Sequence, residues 1–130
     1  MRIIDHSLAN GFSLCLDYDG TLDEVKSKSD YLLGLDEEKD PEVTQKKRDM
    51  MFLSWRTFDD HVVHLVGTAL DENGIKFYKV KDSNTPKDEE VTTFYNKEYL
   101  SENFVKSRVL FFMVNKNALP TDISVKLGIK

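Results

Sequence analysis

Apolar and polar positions change rhythm several times along the chain, and each change marks an element. In Phe12–Asp17, Leu14 and Leu16 share one side and Ser13 and Cys15 the other, the two-residue period of a strand. Residues 20–40 are polar and acidic around Tyr31-Leu32-Leu33 and read as a loop with one short turn. Asp40-Pro41 then supplies an N-cap and a first helical residue. The helix is predicted over 41–57, with Val43, Met50, Met51, Trp55 and Phe58 on the side facing the core.

The period switches again at Val62. Val62–Leu70 is rich in β-branched residues, Asp71-Glu72-Asn73-Gly74 is turn chemistry, and Ile75–Lys81 alternates as a return strand, so the three predict a β-hairpin. After a polar loop over 82–90, Val91–Tyr95 reads as a further strand. Ser101–Lys106 reads as a helical turn, and Val109–Val114 as an apolar strand. Leu119-Pro120-Thr121-Asp122 opens a terminal helix that stops before Gly128. A strand, a helix and then several antiparallel strands predict an α+β fold: a small antiparallel curled sheet with one main helix packed on it. Residues 1–130 are expected to form one domain.

Charge narrows the choice of partner. The chain has a net charge of -5, and residues 17–49 carry 11 acidic against 6 basic side chains, while residues 50–130 carry 11 of each. This balance disfavours nucleic acid and anionic membranes. One cysteine excludes an intrachain disulfide. No apolar run approaches the roughly 18 residues of a membrane span, and MRIIDHSLANG is not a signal peptide, so a cytoplasmic location is expected. Nothing in the residues implies a metal or cofactor. The aromatic residues Phe94, Tyr95, Tyr99 and Phe104 read as sheet packing, since no basic patch surrounds them.

One short motif suggests phosphoryl chemistry. Leu16-Asp17-Tyr18-Asp19-Gly20-Thr21-Leu22 resembles the first motif of haloacid dehalogenase-type phosphatases, with Asp17 as nucleophile, Asp19 as general acid–base and Asp59-Asp60 as a distal acidic pair. That family requires a doubly wound parallel sheet, which the hairpin chemistry after residue 60 argues against.

A second resemblance covers nearly the whole chain. DDHVVHLVGTALDENGIKFYKVKDS (59–83) and SENFVKSRVLFFMVNKNALPTDISVKLG (101–128) are similar to the C-terminal part of the bleomycin hydrolase and bacterial aminopeptidase C family, in the papain superfamily. The helix 41–56 resembles the segment that precedes that family's histidine, and Gly11–Thr21 its glycine-led strand, with Asp19 on its aspartate. The resemblance implies a papain-like barrel half. It places His61 at the catalytic histidine and Asp82 at the asparagine that orients it. Asn84 stands where the family has a shielding tryptophan, and Thr85–Asp88 replaces glycines.

The nucleophile departs further from that pattern. The superfamily cysteine lies about 130–150 residues or more before the histidine, whereas Cys15 lies 46 residues before His61 in a strand-like run. Cys15 is expected to be a half-buried strand cysteine. His64, three residues beyond His61 in a strand, is expected on the opposite face. The resemblance therefore implies a truncated, non-catalytic homologue of a cysteine peptidase, a pseudoenzyme acting as a binding or assembly module. A protein partner or self-association would cover the surface left by the missing helical half. The alternative is a cysteine aminopeptidase fragment that is active when a partner chain supplies the nucleophile.

Overall fold

A computed structural model describes residues 1–20, 25–29, 32–35, 43–82 and 98–129. Helix α1 (Arg2–Ala9) leads into β1 (Leu14–Tyr18). A hairpin of β2 (Val25–Ser29) and β3 (Leu32–Leu35) follows, then α2 (Gln45–Leu53), β4 (His61–Leu70) and β5 (Lys76–Lys81). The chain closes with β6 (Tyr99–Ser101), α3 (Glu102–Arg108), β7 (Val109–Met113) and α4 (Thr121–Lys126). The seven described strands form one sheet in the order β2-β3-β6-β5-β4-β1-β7. The fold is α+β, with the sheet curled into a half-barrel. Its pairings are antiparallel except β3 with β6, which is parallel.

The β4–β5 hairpin follows its sequence chemistry. Asp71 Oδ1 accepts from the Asn73 and Ile75 amides, and Gly74 turns the chain at a φ of 77°. Leu70 pairs with Lys76, and an extra residue, Val66, bulges between the Leu65–Val80 and Gly67–Lys79 pairs. Such a bulge bends a strand and increases its twist, which contributes to the curl. The predicted strand over Val91–Tyr95 lies outside the described residues.

The helix in the hollow of the sheet is α3, not the segment 41–57. Ser101 caps α3 by accepting from the Phe104 amide, and Phe104, Val105, Ser107 and Arg108 are buried against β3, β5, β6 and β7. Leu16, Leu33, Leu65 and Leu100 are inaccessible to solvent beneath it. Helix α2 starts later and ends earlier than its pattern suggests. Thr44 is its N-cap, accepting from the Lys47 amide at 3.2 Å, and Ser54 ends it. Trp55 then takes a left-handed φ of 58°. Of the expected core face only Met51 is buried, where its sulfur accepts from Arg108 Nη1 at 3.2 Å. Met50, Trp55 and Phe58 are exposed, because the helix stops before the last two positions can join its face. Arg48 fastens α2 to α3 and β7 by donating to the carbonyls of Lys106 and Val109.

Three parts of the fold carry no sequence expectation: α1, the β2–β3 hairpin and the short strand β6. In α1, the Ser7 hydroxyl donates to the Ala118 carbonyl at 3.1 Å. The β2–β3 hairpin lies in the stretch read as a loop. The terminal helix α4 ends at Lys126, before Gly128 with its φ of 65°, as its sequence indicates. Among the described residues no helix is long and apolar enough to cross a membrane.

Candidate functional site

His61 opens β4, and Asp82 follows the last residue of β5. The antiparallel ladder carries the return strand back beside the start of the first, so 21 residues of chain close on themselves. His61 Nε2 and Asp82 Oδ2 lie 2.7 Å apart, with the side chains 8% and 5% exposed. The structure thus brings together the two residues singled out from the sequence. Alternation along β4 turns His61, Val63 and Leu65 inward and Val62 and His64 outward.

Tyr18 of β1 pairs directly across from His61. The two rings meet edge-on, with centroids 5.3 Å apart, and Tyr18 meets Phe104 of α3 in the same manner at 5.0 Å. Tyr18 therefore anchors the imidazole to the core, a role that no sequence motif indicated. Asn84, where the resemblance would put a shielding tryptophan, lies outside the described residues, as does Thr85–Asp88. A buried carboxylate on Nε2 fixes the ring orientation, as the third member of a catalytic triad does. An imidazole held in this way can exchange a proton through Nδ1.

Cys15 is on the other side of the sheet. It pairs with His64 and stands three residues from Tyr18, so its side chain shares the outward face with His64, away from His61. It is partly buried, as a strand cysteine would be.

Tyr18, Asp19 and Gly20 build the approach to His61. Asp19 is fully buried and accepts from the Phe58 amide at 3.1 Å, while its own amide donates to the Arg108 carbonyl. Asp60 Oδ1 accepts from the Gly20 amide at 3.0 Å, and the Asp60 amide donates to the Tyr18 carbonyl. These bonds clamp residues 57–60 onto the end of β1 and set the entry of β4. A side chain at position 20 would crowd Tyr18, since its Cβ would come within 3.2 Å of the ring.

Asp17 faces outward instead. Burial first, and then the charges of Asp59 and Asp60, push its carboxyl up from the ordinary value. Because β1 is antiparallel to both neighbours, the strand is not the parallel one that a haloacid dehalogenase phosphatase requires. Asp19 lies beyond the end of the strand, where its carboxylate is taken up by the Phe58 amide. Thr21 and Leu22 lie outside the described residues. Among the described residues, no group of three or more His, Cys, Asp or Glu side chains is arranged to hold a metal.

The fold and the site together define an α+β half-barrel with a buried histidine–carboxylate pair at the open end of a β-hairpin. No protein-family model and no curated protein matches the sequence.

Proposed function

We propose that this chain is a peptidase-like binding module. In this reading His61 and Asp82 are a papain-type histidine and its orienting residue, in a domain related to the bleomycin hydrolase and aminopeptidase C family. The chain does not catalyse by itself; it binds a protein partner, or a second copy, through apolar surface. The observation that carries this reading is the buried 2.7 Å contact between His61 and Asp82. It is joined by the outward placement of the only cysteine in these 130 residues. General acid–base work on a peptide bond needs an imidazole within hydrogen-bond reach of its nucleophile, and Cys15 is separated from His61 by the sheet.

The test is an assay of the pure chain with fluorogenic aminoacyl substrates and a thiol reductant. No turnover is expected. Turnover that disappears in Cys15→Ala overturns the reading.

The intact pair also favours a second reading, a site completed by a partner chain that supplies the nucleophile. His61 would then be the general base and acid, and Asp82 would hold it. Release of N-terminal amino acids that begins only when a cysteine-bearing papain-like chain is added, and stops in His61→Ala, is the result this second reading requires.

A further inference from the structure

The side of the sheet opposite α3 is built from β4, β1 and β7 in adjacent positions. Register places Val62, Asp17 and Phe111 in one row and His64, Cys15 and Met113 in the next. Val62 is 52% exposed, Phe111 56% and Met113 70%. Exposed apolar side chains grouped on one face of a sheet suit an interaction surface.

Its centre is a carboxylate. Asp17 stands between Val62 and Phe111, and its Oδ1 is buried without a hydrogen-bond partner. Asp59 and Asp60 add negative charge beside it, and Asp60 Oδ2 is likewise buried without a partner. Among the described residues, the charge that acts on Asp17 in the opposite sense is that of His61, on the far face.

We propose that this face binds a basic, apolar polypeptide segment of another protein, seated so that an arginine crosses Phe111 and meets Asp17. The inference rests on the reading of the chain as a binding module and specifies the partner's chemistry. Covering Val62, Phe111 and Met113 gains hydrophobic free energy. It would also strip water from Asp17, and a desolvated carboxylate without a counter-charge is strongly unfavourable. The partner must therefore bring a cation to the middle of the patch.

Arginine fits better than lysine, because its planar guanidinium stacks on an aromatic ring and grips a carboxylate with two hydrogen bonds. Cross-strand neighbours such as Asp17 and Phe111 have Cβ atoms about 4.5–5.5 Å apart, within reach of one arginine side chain. A second copy is the poorer occupant. Two such faces would bring Asp17 carboxylates together, in a chain whose net charge is already -5.

The test is fluorescence anisotropy with a labelled peptide alternating arginine and leucine, compared with its glutamate-for-arginine counterpart. The arginine peptide is expected to bind and the glutamate peptide not. Asp17→Asn and Phe111→Ser should each weaken binding about tenfold or more. Glu72→Gln, which removes the same charge at the exposed hairpin tip, should leave it unchanged. Circular dichroism confirms that each variant is folded.

Equal weakening by Glu72→Gln overturns the proposal, since general charge attraction would then explain binding. Binding of the glutamate peptide overturns it too, as does a dimer of the chain that Phe111→Ser dissolves. Loss of binding in His61→Gln but not in Asp17→Asn moves the partner to the other face and also overturns it. Failure of peptide binding sinks this surface alone, whereas turnover by the isolated chain sinks the functional reading beneath it.

Discussion

Asp82 Oδ2 sits 2.7 Å from His61 Nε2, and more than nine-tenths of each side chain is withdrawn from solvent. Removing the acceptor strands a buried ring nitrogen. Asp82→Ala should therefore lower stability by about 2–3 kcal/mol, the cost of an unsatisfied buried polar group. Asp82→Asn keeps an acceptor and should lose about 1 kcal/mol. Urea unfolding at neutral pH measures both. Equal losses would show that the carboxylate charge, not its hydrogen bond, holds the imidazole.

Tyr78 is inaccessible to solvent, and its hydroxyl donates to Asp5 at 2.6 Å, with Lys76 Nζ 3.1 Å from the same oxygen. Burial first, and then the Asp5 carboxylate, push the Tyr78 hydroxyl up, so it remains a donor. For Asp5, partial burial pushes the carboxyl up, but Tyr78 and Lys76 outweigh it and hold it below the usual carboxylate range. A carboxyl depressed in the folded state adds stability that is present above its unfolded pKa. That stability is lost as pH falls through the folded value. Asp5→Asn should therefore flatten the acid limb of a plot of urea midpoint against pH. Tyr78→Phe should cost about 1–2 kcal/mol at neutral pH.

Asp17 titrates with the opposite sign. Its carboxyl is raised, chiefly by burial and then by Asp59 and Asp60, so its ionised form opposes folding. Stability falls as pH rises from the unfolded to the folded pKa, and the loss is complete above both. Asp17→Asn should raise the thermal midpoint of the isolated chain at neutral pH. The gain should vanish in acid, where wild-type Asp17 is protonated. A midpoint lowered at neutral pH would contradict the raised carboxyl.

Trp55 is the single tryptophan, is 84% exposed and has a φ of 58°. Its emission should be that of a solvated indole in the folded protein and should shift little on unfolding. Left-handed backbone is unfavourable for a side chain by about 1–2 kcal/mol. Trp55→Gly should therefore leave stability unchanged or raise it by up to about 1 kcal/mol, as the glycine's greater unfolded-state entropy offsets part of the relief. A substantial loss in a denaturant titration would place Trp55 in a contact that its exposure does not suggest.

Much of the site was legible from local chemistry. The hairpin follows from its alternation and from Asp71 and Gly74, and once it is in place the His61–Asp82 approach is geometry over 21 residues. The helical turn that begins near Ser101 and the stop of α4 before Gly128 were similarly local. The role of Asp19 was not legible. An Asp-x-Asp-Gly run after a strand suits a nucleophile, a turn or a clamp equally well. Only the arrival of Phe58, 39 residues later, makes Asp19 an acceptor for its amide.

The sequence by itself determined the β4–β5 hairpin, the meeting of His61 with Asp82 and the inward and outward sides of β1 and β4. Strand period and turn residues act over a few positions and need no distant partner. Tertiary structure alone decided that α3 fills the curl and that α2 leaves most of its apolar residues in solvent. It also decided that β3 runs parallel to β6 and that Asp5 reaches Tyr78 across 73 residues. Each of these depends on which surfaces the sheet presents once it is curled. Periodicity marks a residue as apolar or polar, but it does not specify which of several apolar faces will be buried when they compete for one hollow.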